Sequence, residues 1–245
     1  MIVSPVHTGS TSSEWERLYV VGDIHGYSGA LDRMIDEIYR DLNTNPSDSC
    51  LTVTIGDYVD RGPNSKAVID RLAQNPFPTD FIGLRGNHDD LFQAFMCNPA
   101  IAGDWRRIGG LETLHSYGVN IRDVMRGKNY ERAAETLSAA IPQAHLEFLN
   151  SLRVSLTIGR YFLCHAGVRP GIPLELQDTD DLLWIREPFL ASKLDFGKVI
   201  VHGHTPVQEP EVFPNRINVD SGIYITGRLT CAVLQGERIR FLSVS

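Results

Sequence analysis

The 245-residue chain reads as one α/β domain with a helical insertion on one side. Three features predict that class. Between residues 17 and 89, β-type runs alternate with helical periodicity, as in βαβ units that build a largely parallel, buried sheet. Residues 89–151 carry helical patterns only. From 154 to the C-terminus β-type runs return, and no repeat, low-complexity tract or linker divides the chain.

Residues 1–16, with much Ser, Thr and Gly, read as a flexible lead-in without the basic and apolar regions of a secretory signal. The domain proper is 17–245, and "RLYVVGD" (17–23) is its first strand, stopping at Gly22. Residues 28–43 follow as a helix, with Leu31, Ile35, Ile38 and Leu42 at helical spacing and Ser28 as its N-cap. "CLTVTIGD" is the second strand, "SKAVIDRLAQN" (65–75) a helix, and "DFIGLRGNHD" (80–89) a third strand with a polar end. "LFQAFM", "GGLETLHSYG", "YERAAETLSAAI" and, after Pro142, "QAHLEFLNSL" make up the insertion at about 89–151. "VSLTIGRYFLCHAG" (154–167) predicts a hairpin turning at Gly159-Arg160. "KVIVHGHT" (198–205) and "RINVDSG" (216–222) are further strands, and "GRLTCAVLQGERIRFLSVS" closes the chain as a hairpin turning near Gly236.

Composition narrows the function. Hydrophobic residues make up 42% and charged residues 22%, enough apolar material for a buried core. A formal net charge of -7 argues against nucleic acid or anionic membrane as a partner, so a phosphorylated substrate must be drawn by local cations or bound metal. No run approaches the roughly 18 apolar residues that span a bilayer. Cys50, Cys97, Cys164 and Cys231 are widely spaced, which points to free thiols and a reducing, cytoplasmic setting.

Five of the β-type runs end alike. "VVGDIHG", "TIGDYVDRG", "GLRGNHD", "FLCHAG" and "IVHGHT" each finish in Gly beside His, Asp or Asn, and five of the eight histidines fall in them. Ligands of an open α/β sheet bind at the carboxyl ends of its strands, so these residues would meet in space. Asp23, His25, Asp57, Asn87, His165 and His204 supply oxygen and nitrogen donors and no thiolate, a set suited to manganese, iron or zinc. Six donors are too many for one ion with an open position. They suit two ions about 3.5–4 Å apart that share a carboxylate and hold a nucleophilic hydroxide and a phosphoryl group. Alternation in Asp23-Ile24-His25 leaves Ile24 free to face the core.

Taken together, "GDIHG" (22–26), "GDYVDRG" (56–62), "GNHD" (86–89), "HAG" (165–167) and "GHT" (203–205) resemble the complete signature of the phosphoprotein phosphatase (PPP) family of metallophosphoesterases. The likeness is to its bacterial and phage-type serine/threonine members, extends to "WRRIGGLETLHSYGV" and "DLLWIREPFL", and runs from about residue 19 to near the C-terminus. It implies a calcineurin-like metallophosphoesterase fold, with central β-sheets flanked by helices around a β-sandwich core. It implies one ion on Asp23, His25 and Asp57, and a second on the bridging Asp57 with Asn87, His165 and His204. Manganese is the first choice for both, with iron or zinc as alternatives. His88 matches the proton donor to the leaving group and Asp60 the carboxylate that orients it. Arg61 and Arg186, with Asn87, match the residues that grip the phosphate. The implied activity is hydrolysis of phosphoserine and phosphothreonine, and of phosphotyrosine as a further substrate, on a phosphorylated protein or peptide. The implied route is direct attack of a metal-bridging hydroxide with no phosphoenzyme.

Two other readings accompany it. A sister branch hydrolyses diadenosine tetraphosphate; His25 in "GDIHG" and the intact "VDRG" argue against that branch. A catalytically silent binding module would have lost ligands, and none is missing. His202, which alternation places on the same face as His204, reads as structural or supporting. Pro206 stands where many wider relatives carry another histidine, so that position supplies no ligand. Arg85 and Arg169 read as solvated cations or as added positive potential at the cleft, Asp220 as a loop support over a direct participant, Cys164 as core filling, and Trp184 as a packing anchor over a substrate-stacking ring.

Overall fold

A computed structural model describes residues 15–245, so nearly all of the expected lead-in lies outside the described residues. β1 (Arg17–Val21), α1 (Ser28–Thr44), β2 (Cys50–Thr54), α2 (Ser65–Leu72) and β3 (Asp80–Gly83) form the alternating first part. The insertion runs through α3 (Asn87–Cys97), α4 (Ala102–Trp105), α5 (Gly110–Ser116), α6 (Arg122–Met125), α7 (Tyr130–Ala140) and α8 (Gln143–Ser151). A second β-rich part holds β4 (Ser155–Ile158), β5 (Tyr161–Cys164), α9 (Thr179–Trp184), β6 (Val199–His202), β7 (Glu211–Val212) and β8 (Arg216–Asn218). The chain closes with α10 (Ile223–Thr226), β9 (Leu229–Gln235) and β10 (Arg238–Val244).

The strands make two five-stranded sheets, ordered β10-β9-β1-β2-β3 and β4-β5-β6-β8-β7. β1, β2 and β3 are parallel, as are β5, β6 and β8, while the flanking pairs are antiparallel. The parallel arrangement expected of residues 17–89 is present in β1-β2-β3, and the two stacked sheets match the β-sandwich core that the resemblance implies. Both sheets are mixed because antiparallel pairs flank the parallel strands; in the first, the last hairpin folds back so that β9 pairs with β1. Both hairpins turn where expected, since Ile158 faces Tyr161 across Gly159-Arg160 and Gln235 faces Arg238 across Gly236.

Alternation along β1 shows how the sheets stack. Leu18 and Val20 join Leu51, Val53, Leu163, Val201 and Ile217 in the core between the sheets. Tyr19 and Val21 point the other way, into the core shared with Leu31, Ile35 and Ile38 of α1 and with the insertion helices. A third apolar cluster, with Phe162, Cys164, Phe189 and Ile200, covers the outer face of the second sheet. Each fully buried Val, Leu or Phe contributes roughly 1.5–3 kcal/mol, so a one-residue slip of β1 would turn a large favourable sum into a cost.

Two local expectations are corrected. Ser28 is the first residue of α1 and not its cap; Tyr27 holds the cap position without a side-chain bond. The turn that bonds the Tyr27 amide to Ile24 O at 3.1 Å already delivers the chain into the helix. Likewise Asn87 and His88 open α3 and do not end a strand, because the Asp89 carboxylate at the third helical position accepts the Gly86 amide at 2.9 Å and starts the helix there.

Candidate metal centre

The five glycine-flanked segments follow β1, β2, β3, β5 and β6, and main-chain bonds tie them together at one edge of the sandwich. The amides of Ile24 and His25 both donate to Asp57 O, at 3.1 and 2.7 Å, and the Gly203 amide donates to His165 O at 2.8 Å. Five of the seven described non-glycine residues with positive φ lie here: His25, Asp57, Asp60, Arg61 and His204. Such conformations cost about 1–2 kcal/mol each and persist only where the surroundings enforce them. Close approach also explains Gly86, since a methyl group there would collide with the Asp57 carboxylate.

Asp57 lies at the middle of the cluster. Its Oδ1 is 3.4 Å from His165 Nε2, and its Oδ2 is 3.5 Å from His25 Nε2. Asn87 Oδ1 stands 2.9 Å from both His165 Nε2 and His204 Nδ1. His165 Nδ1 donates to Ile55 O at 3.0 Å, and His25 Nδ1 donates to Val59 O at 2.9 Å. Those carbonyls fix the ring protons on Nδ1, so both Nε2 lone pairs face oxygen acceptors. Lone pairs facing lone pairs with no proton between them call for a cation. Asp23 adds a buried Oδ1 without a partner, while its Oδ2 accepts the His204 amide at 3.2 Å. The ligand atoms of His25, Asp57 and His88, and those of Asp57, His165 and His204, lie within 4.8 Å of one another. The donors fit divalent cations, and Asp57 belongs to both groups of candidate ligands.

The electrostatics agree. Burial pushes His25 and His204 down to about 3 and lowers His165, leaving the neutral imidazoles that ligate metal. Burial, with Asp220 and Asp57 nearby, pushes Asp23 well above the usual carboxylate range. Burial acts upward on Asp57 too, but the four histidines around it outweigh that and bring it below its ordinary value. A bound cation would draw Asp23 back to its ionised form.

A different set of groups stands on the Oδ2 side. His88 Nδ1 is 2.7 Å from Asp60 Oδ2, and its Nε2 is 3.2 Å from an Arg61 Nη2. Burial lowers the His88 pKa, but Asp57 and Asp60 outweigh it and raise it overall, so this ring can carry a proton. The Arg61 guanidinium lies 3.9 Å over the Tyr224 ring. Its amide and Nε donate to Gly109 O at 3.2 Å and Ile108 O at 3.4 Å. Arg186 is not in that group; it is exposed beyond α9, and its charge contributes to lowering His204.

Several sequence expectations are modified here. Trp184 is not a packing anchor: it is 43% exposed, and its ring lies 6.2 Å from that of His204. It is the last residue of α9. His202 and His204 do not share a face, because the positive φ of His204 breaks the alternation. His202 turns onto Phe189, with ring centroids 4.9 Å apart, and is structural. Arg169 pairs with Asp181, and Arg85 with Asp90 at 3.4 Å. Asp220 supports its loop by accepting the Gly222 amide at 2.8 Å, burial pushing its carboxyl up to about 6. Trp105, Thr113, Asp89 and Tyr224 escaped the sequence reading. The first two lie in "WRRIGGLETLHSYGV", where nothing marks them as neighbours of Asp60.

Clustered nitrogen and oxygen donors suited to cations, set beside a protonatable imidazole and an arginine fork, equip the molecule to hydrolyse phosphoesters; its class is that of the metallophosphoesterases. The chain belongs to the calcineurin-like phosphoesterase family, which matches residues 16–237. It is 28% identical over 230 residues to serine/threonine-protein phosphatase 2 of Salmonella typhimurium, covering 89% of this chain and 93% of that one. It is 26% identical over 231 residues to the asymmetrical bis(5'-nucleosyl)-tetraphosphatase PrpE of Anoxybacillus flavithermus, covering 86% and 87%. A crystal structure described as a candidate diadenosine tetraphosphatase superposes with a TM-score of 0.64 at 20% identity, over 99% of this chain and 96% of that one.

Proposed function

We propose that the chain is a protein phosphatase that hydrolyses phosphoserine and phosphothreonine monoesters with two divalent cations, manganese first. Asp23, His25 and Asp57 would hold one ion, and Asp57, Asn87, His165 and His204 the other. When bound, the ions make water nucleophilic at neutral pH and offset charge on the phosphoryl oxygens. Arg61 grips those oxygens as a planar fork, with Arg186 reaching in from the exposed rim. His88 gives a proton to the departing oxygen, and Asp60 holds the ring so that Nε2 faces it.

One observation carries the choice of substrate: the buried His88–Asp60 pair, 2.7 Å apart, beside Arg61. A serine or threonine alkoxide is a poor leaving group and needs that proton. A nucleotide leaving from a polyphosphate is already a stable anion and gains little from it. The similarity to the Salmonella phosphatase supports the same reading.

A second reading is hydrolysis of a dinucleoside tetraphosphate, favoured by the comparable identity to PrpE and by the exposed Trp184 ring, on which a base could stack. Purified protein with manganese should be assayed against a phosphoserine peptide, an aryl phosphate and diadenosine tetraphosphate. The expected result is turnover of the first two well above the third. Preference for the tetraphosphate selects the second reading, and no turnover with any divalent metal removes both.

A further inference from the structure

Resting on that reading, we infer that Trp105 and Thr113 of the helical insertion are positioning residues for the proton-donating pair, and that residues 105–113 serve as a latch on the leaving-group side of the site. Asp60 is fully buried, and its carboxylate has three donors. His88 Nδ1 and Trp105 Nε1 reach Oδ2 at 2.7 and 2.8 Å, and the Thr113 hydroxyl reaches Oδ1 at 2.6 Å. Thr113 Oγ1 also accepts the Asp60 amide at 2.8 Å. One hydroxyl thus holds both the carboxylate and the left-handed backbone (φ 72) of the same residue. Each oxygen of Asp60 is pinned from the insertion, so the carboxylate has one orientation in which to meet His88.

The same segment also holds the neighbouring arginine. Ile108 O and Gly109 O accept from Arg61, and Gly109 has φ 117, with no room for a side chain against the Arg61 backbone. Trp105 is itself fixed, its ring 4.9 Å from that of Phe95 and 6.0 Å from that of Phe92 on α3, the helix that begins with Asn87 and His88. Residues 105–113 therefore contact Asp60 and Arg61, which act on the departing oxygen and the phosphate, and among the described residues none of their hydrogen bonds runs to His165 or His204. A defect in the latch should weaken proton delivery and leave metal binding intact.

The test is leaving-group dependence. Thr113→Val removes the hydroxyl at nearly constant shape, and Trp105→Phe removes the indole N–H. With manganese, each should lower kcat on a phosphoserine peptide about tenfold or more, within the range general acids contribute. On 2,4-dinitrophenyl phosphate, whose leaving group needs no proton, the change should stay within about twofold. Thr113→Ser should restore the peptide rate, and bound manganese should equal that of the parent. Equal losses on both substrates, loss of manganese, or no loss on the peptide would each overturn the inference. If Thr113→Val does not fold, Trp105→Phe carries the same comparison. A second readout is independent of turnover: the imidazole Nδ1 proton of His88, hydrogen-bonded to Asp60, should shift in the NMR spectrum of either variant. An unshifted proton overturns the latch. A parent protein that shows the bonded proton but does not hydrolyse the phosphopeptide would overturn the functional reading and leave the latch standing.

Discussion

Asp57 and His88 make the sharpest demands on single residues. The two carboxylate oxygens of Asp57 face different histidines, so Asp57→Asn replaces one acceptor with an N–H2 that points at a cation position. Manganese affinity should fall at least tenfold, as read by calorimetry, in line with the roughly 10–100-fold effects of disturbing metal-site geometry. Two ions bound normally by that variant would rule out the shared carboxylate. His88 needs a separate test because its Nε2 lies 3.9 Å from Asp57 Oδ2, within the same group as His25. As a proton donor, His88→Ala should cut kcat by about 10²–10⁴ while both ions remain. Loss of metal would make it a ligand. The donors themselves were legible from sequence because each sits in a short glycine-flanked motif. Trp105 and Thr113 were not, since they reach Asp60 across 45 and 53 residues, and such a contact leaves no local pattern.

Among the elements, Asp41 is a clear point of coupling. From α1 it accepts the Tyr19 hydroxyl of β1 at 2.6 Å and pairs with Arg240 of β10 and, at 3.6 Å, Arg17 of β1. Burial alone would raise its pKa, but the bonds from Arg240 and Tyr19 outweigh it and lower it overall. A depressed folded pKa gives stability that is present above the unfolded carboxylate value of about 3.9 and lost as pH falls through the folded value. Asp41→Asn should therefore be less stable than the parent by about 1–3 kcal/mol at pH 7, with the gap closing below about pH 4. Urea melts at both pH values check this, and a gap that does not depend on pH would refute it. Strands and hairpins were readable from alternation and turn residues. The start of α3 was not, because the capping bond of Asp89 outweighed a run that looked extended through "GLRGNHD".

For the whole molecule, the candidate metal centre draws its residues from both sheets. Asp23, His25, Asp57 and Asn87 follow strands of the first sheet, while His165 and His204 follow β5 and β6 of the second. This edge brings together Asp23, Asp57 and Asp220, all nearly inaccessible to solvent, an arrangement that is electrostatically costly unless cations offset it. Ions that bind only the folded chain stabilise it by mass action, about 2.7 kcal/mol at a hundred times the dissociation constant. A chain of this size shifts by about 2–4 °C per kcal/mol, so chelation should lower Tm by about 5–10 °C. The loosening should be local, with faster amide exchange at His204 and Gly203, whose amides bond to Asp23 and His165, than at Val20 or Val53 between the sheets. Asp57→Asn, which binds manganese more weakly, should show a smaller Tm difference with and without chelator than the parent. A parent protein whose Tm and exchange ignore chelation would mean that the donors are held together by packing alone, and that the ions play no part in joining the sheets.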